Sequence, residues 1–165
     1  MFSFLIYIFK IMIRKGIETY DIKSIENDNN FLVKYYFIDV DENDFMVQLK
    51  NDTVGSKSSP MLGNSYELTW YVWNDEINNW SVTKIVNANI WRSLHTIFGD
   101  IIEDFLVERT WVTSIRLEGK EKESEKVNSI TQRTKFYLRH LRNNPLPMFR
   151  LENWGNKILL TKNKF

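Results

Sequence analysis

The side chains able to do chemistry are few in this sequence, and their spacing is uninformative for most reactions. The two histidines, His95 and His140, stand outside any H-x-x-x-H or H-E-x-x-H context. A metal site built on them would need carboxylates brought in from elsewhere in the fold, and they read as surface or half-buried structural residues. The chain has no cysteine, which removes disulfides, zinc–thiolate sites, iron–sulfur clusters and thiol nucleophiles. Its six glycines are scattered, and none forms G-x-G-x-x-G or G-x-x-x-x-G-K-[ST], so no glycine loop cradles a phosphate. No G-x-S-x-G elbow presents a serine. The acidic group Asp39, Asp41, Glu42 and Asp44 lacks the glycine and the closing glutamate of a calcium loop and reads as a solvated hairpin turn. No cofactor or metal is expected from these residues.

One charged pattern remains. Lys135, Arg139 and Arg142 recur at i, i+4 and i+7, with Arg133 and His140 nearby. Such a basic face fits the phosphates of nucleic acid or of a cofactor, and it is equally what the solvated side of a surface helix shows. The whole chain carries 22 basic against 21 acidic residues, so no global field draws it to nucleic acid or to an acidic membrane. Nucleic acid is a possible partner through this local patch only.

The elements that position these residues follow from hydrophobic periodicity. Residues 31–40 are rich in β-branched and aromatic side chains, and Phe45, Val47 and Leu49 alternate after a turn. The pair reads as a β-hairpin. The polar, small-residue stretch 51–64 is a loop. Residues 66–73 and 80–86 form a second hairpin, with Tyr66, Leu68, Trp70 and Val72 on one face by the two-residue period. From Ile90 to Leu106 apolar residues recur at three- and four-residue spacing and predict a long amphipathic helix, capped by Asn87 or Asn89, with Gly99 inside it. A strand over 111–117 follows. A second helix carries Val127, Ile130, Thr134, Tyr137, Leu138 and Leu141 on its buried stripe and ends before Pro145. A last hairpin over 148–161 turns at Trp154-Gly155.

The expectation is therefore one α+β domain over 17–165, an antiparallel or mixed sheet of hairpins with two amphipathic helices, preceded by an apolar segment over 1–16. That segment, with Phe2, Phe4, Ile8 and Phe9, is too short to span a bilayer. It also lacks the basic start and cleavage site of a signal peptide. It either packs on its own domain or inserts into a neighbouring subunit. Aromatic residues make up 15% of the chain, enough for a strand-rich core or for a docking surface as well.

The order hairpin, helix, strand, helix, hairpin from Tyr66 onward, with Phe136-Tyr137-Leu138-Arg139-His140-Leu141, resembles the second half of the GNAT acetyltransferase fold and its F-Y-x-x-L helix. The resemblance implies Tyr137 as the acid that protonates a departing coenzyme A thiolate, and Asn87, Asn89 and Arg92 as the phosphate region for acetyl-CoA. The pyrophosphate loop of that family, R/Q-x-x-G-x-G/A, is replaced here by Val86-Asn87-Ala88-Asn89-Ile90-Trp91, without a glycine.

A narrower run is similar to small phage-encoded proteins. Asn89 and Arg92 open one helix, Asp104-Phe105-Leu106 close it, and Arg133, Tyr137 and Leu141 mark the next. Together these readings lead to a non-enzymatic phage protein acting through protein–protein contacts as a virion component. Its partners would be other phage structural or host proteins, and its place the host cytoplasm or the virion. A GNAT-like acyltransferase and a host-defence inhibitor stand as alternatives.

Overall fold

The computed structural model describes residues 18–52, 62–82, 90–118 and 130–164. They form an α+β structure built on one mixed sheet, with both helices on the same face. The chain enters through a hairpin of β1 (Ser24–Asp28) and β2 (Leu32–Ile38), followed by β3 (Asp44–Asn51) and β4 (Ser65–Asn74). A short β5 (Asn79–Ser81) folds back on the end of β4. Helix α1 covers residues 90–108, strand β6 is Ser114–Glu118, and helix α2 is Gln132–Asn143. The final hairpin pairs β7 (Phe149–Trp154) with β8 (Lys157–Lys162). The sheet order is β1-β2-β3-β4-β6-β8-β7.

The four strands β1 to β4 form an antiparallel meander. On the far edge of β4, β6 pairs parallel, but only from Ser65↔Ser114 to Leu68↔Leu117. Beyond that, β5 takes the same edge at Val72, Trp73 and Asn74. Thr69, Trp70 and Tyr71 sit in the notch between, with no strand paired on that side among the described residues.

Strand alternation decides which side chains meet the helices. Tyr35, Phe37, Phe45, Val47, Tyr66, Trp70, Ile115 and Leu160 all point to the helical face and are buried there. Leu94, Ile97, Phe98, Ile101 and Phe105 of α1, and Tyr137, Leu138 and Leu141 of α2, close over them in one cluster. Stacked rings run through it from Tyr20 to Phe37, Phe45 and Trp70, with centroids 5.7, 4.7 and 5.6 Å apart in turn.

Helix α1 is not uniform. It is α-helical over Ile90–His95, widens to a π-helix over Thr96–Ile101, and returns to α over Ile102–Glu108. The Thr96 hydroxyl donates to the Arg92 carbonyl at 2.9 Å, the acceptor that an α-helix reserves for the Thr96 amide. The same hydroxyl accepts the Tyr20 amide at 2.9 Å. A side chain competing for a main-chain acceptor is a recognised cause of such widening.

Several boundaries differ from the sequence reading. Strand β1 was not expected; it follows from the turn at Asn29 and Asn30, both at positive φ (46 and 62°), a geometry that asparagine tolerates and that closes the three-residue connection between the paired Asp28 and Leu32. The strand expected from Trp111 begins at Ser114, because the Val112 amide bonds the Arg109 carbonyl at 3.1 Å and holds Trp111 in a turn. The second helix begins at Gln132. Thr131 is its cap, extended at φ −66 and ψ 156, accepting the Thr134 amide at 3.1 Å, so Ile130 precedes the helix and is exposed. Val127, the caps Asn87 and Asn89, the strand end over 83–86 and the apolar segment 1–16 lie outside the described residues.

Candidate functional site

The two histidines, read from sequence as unrelated, face each other across the helix pair. His95 projects from α1 and His140 from α2, with ring centroids 4.6 Å apart, and Phe98 lies 5.4 Å from the His140 ring. Contrary to the surface or half-buried expectation, His140 is only 2% exposed. Its Nδ1 is buried without a hydrogen-bond partner. Burial, and then the neighbouring His95, lower its pKa to about 4; burial also lowers that of His95. Both rings, with Gly99, Glu103 and Thr19, line a cavity of about 40 Å³, room for about one water molecule. Among the described residues no three histidine or carboxylate groups are placed to hold a metal.

The residues tied to acyl transfer are divided. Tyr137 is buried, its ring in edge contact with Phe98 at 5.7 Å and Trp70 at 6.4 Å. Burial raises its hydroxyl pKa to about 12, while the charge of Arg133 pulls the other way. The Arg133 guanidinium lies over the Trp70 ring at 4.2 Å. Arg92 is held by residues 18–20: it meets the Glu18 carboxylate at 3.4 Å, donates to the Thr19 carbonyl at 3.0 Å and covers the Tyr20 ring at 4.2 Å. This clamps the incoming chain to α1. Asn87 and Asn89 lie outside the described residues, as do Phe2, Phe4, Ile8 and Phe9.

The acidic cluster behaves as a turn. The buried Asp39 carboxylate accepts the amides of Asp41 and Asn43 at 2.9 and 2.8 Å and the Asn43 side-chain amide at 2.8 Å. These three bonds close the β2–β3 connection.

The larger concavity is on the face of the sheet opposite the two helices. An open groove of about 330 Å³ is lined by Lys23, Ser24, Tyr36, Ile38, Asp44, Trp73 and Trp80, with Phe37 and Phe45 beneath. The pairings Ile38↔Asp44 and Trp73↔Trp80 place these residues at one end of the sheet. The Trp80 ring lies 5.4 Å from Trp73, edge-on, and 6.0 Å from Tyr36. The turns at that end add exposed Val40 (65%) and Ile77 (60%), and Ile38 is itself 41% exposed. No protein-family model, curated protein or solved structure matches this chain. The groove, like the histidine pair, therefore has to be read from its own chemistry.

Sequence reasoning missed the groove, although a signal was present. Tyr36 and Ile38 fall on the phase opposite to Tyr35 and Phe37, so a two-sided apolar strand was readable. Trp73 and Trp80 flank the turn of their hairpin. What one sequence could not supply was that both hairpin ends meet at the same end of one sheet.

Proposed function

We propose that this protein is a non-enzymatic binding module that docks onto other protein subunits through the aromatic end of the sheet face opposite its two described helices. The observation that carries the reading is the concentration of Tyr36, Trp73, Trp80, Ile38, Val40 and Ile77 around one open groove. Exposed apolar patches rimmed by polar residues mark interaction surfaces, and tryptophan and tyrosine are the residues that dominate such contacts. The resemblance to small phage-encoded proteins makes a virion component the fitting biological form. The test is the mass of the full chain in solution by light scattering over a concentration series, beside the variant Trp80→Ala. Assembly that the substitution weakens by tenfold or more supports the reading. A chain that stays monomeric throughout, with the tryptophans equally open to a neutral quencher at every concentration, overturns it for self-assembly and leaves the acyl-transfer reading ahead.

That second reading has one observation in its favour. The parallel pair β4–β6 separates after Leu68 and Leu117, and among the described residues no strand pairs with that β4 edge at Thr69 to Tyr71, beside Trp70, Arg133 and Tyr137. An extended thioester cofactor would lie along that edge, with Tyr137 as its proton donor. Calorimetric titration with acetyl-CoA decides: heat with a saturating curve supports it, and none at millimolar ligand removes it.

A further inference from the structure

Helix α2 carries Arg133, Lys135, Arg139 and Arg142 and no acidic residue. None of these four cations forms an ion pair among the described residues. In a chain whose charges otherwise nearly cancel, that is a local excess. It also has a cost within the helix, because Lys135 and Arg139 stand at i and i+4, where like charges repel by about 0.2–0.5 kcal/mol. Helix-dipole stabilisation accounts for Arg142, in the last turn, and not for Lys135 in the first.

The placement separates the four. Arg133 lies inward over Trp70, whereas Lys135, Arg139 and Arg142 are exposed. The exposed three form a stripe about 10 Å long, from the 1.5 Å rise per residue. Aromatic rings border it. Phe136 and Trp91 are half-buried and pack edge to face at 5.7 Å, and the Arg139 guanidinium lies 5.1 Å over the Trp91 ring. A line of cations with no ion pair among the described residues, beside partly open rings, is the combination that holds single-stranded nucleic acid, phosphates on the cations and bases on the rings.

We infer that the outer face of α2, with Trp91 of α1, binds single-stranded nucleic acid, on the side of the sheet opposite the aromatic groove. Three phosphates meet Lys135, Arg139 and Arg142, and a base stacks at Trp91 and Phe136. The interaction is sequence-tolerant, since it rests on phosphates and on the faces of the bases.

The experiment is fluorescence anisotropy of the full chain with a labelled oligothymidine at several salt concentrations. Binding is expected at low salt, with a log–log salt slope of about −2, from about −0.7 for each of three phosphates on a single strand. The triple variant Lys135→Gln, Arg139→Gln, Arg142→Gln should lose at least tenfold in affinity and flatten that slope. Its circular dichroism and melting midpoint should be retained, because all three side chains are exposed. Lys50→Gln, on the sheet face opposite the two helices, should bind as the parent does. An abasic oligomer of equal length should bind several-fold more weakly. No binding at low salt, equal binding by the triple variant, or equal binding of the abasic strand overturns the inference. So does a duplex, an acidic peptide or an anionic vesicle held as tightly as the single strand.

Discussion

At the residue scale, the buried histidine pair makes an acid-sensitive contact between the two helices. His140 keeps its neutral form in the folded protein down to about pH 4, because burial and the adjacent His95 oppose its charge. In the unfolded chain it takes up a proton near the ordinary histidine value of about 6.5. The folded pKa is thus the lower one. The unfolded state binds the extra proton as pH falls through this window, and stability drops by at most about 1.4 kcal/mol per pH unit. Above the window the histidine has no such effect. His140→Leu should therefore show a smaller fall in melting midpoint between pH 7 and pH 4.5 than the parent, with the two proteins compared in the same buffers. An identical fall in both would show that carboxylates alone set the acid limit. Neither histidine could be assigned this contact from sequence, since the periodicity places each on a helix and says nothing about which helix faces meet.

At the scale of elements, what was legible depended on whether the signal was local. Both helices, the alternating face of β4 and the final hairpin follow from spacing alone. The turn at Gly155, whose φ of +56° needs a residue without a side chain or one tolerant of that geometry, is visible as a glycine between two apolar runs. Boundaries were lost where one side chain decides them: Thr131 caps α2 and excludes Ile130, and Thr96 diverts an acceptor and widens α1 around Gly99. Strand β1 was missed for a different reason. All five of its residues are exposed, so its sequence carries no buried alternation, and only the Asn29-Asn30 turn betrays it. Among the candidate sites, the basic stripe of α2 could be written down from spacing. The groove could not, because it joins two hairpins that lie apart in the sequence, one ending at Asn51 and the other beginning at Ser65.

At the scale of the molecule, the question is whether the two halves of the sheet behave as one body. Among the described residues, the strand pairing between β1–β5 and β6–β8 is confined to the four parallel pairs of β4 with β6. A sheet so narrowly connected would come apart in two steps if each half had its own core. It does not: Ile115, Leu117, Ile158 and Leu160 of the second half belong to the same buried cluster as Val33, Phe45 and Trp70 of the first. The helices bind the halves further, since Tyr66 of β4 meets Phe105 of α1 at 4.9 Å and Trp70 of β4 meets Tyr137 of α2 at 6.4 Å. Losing either half would expose the apolar face of the other at about 25 cal/mol per Å², which penalises any half-folded state. Urea unfolding should accordingly follow a single transition, with tryptophan fluorescence and far-ultraviolet circular dichroism superimposed, as expected of one cooperative unit. Separated transitions, with the dichroism change trailing the fluorescence change, would mean that the narrow β4–β6 seam divides the protein despite its shared core.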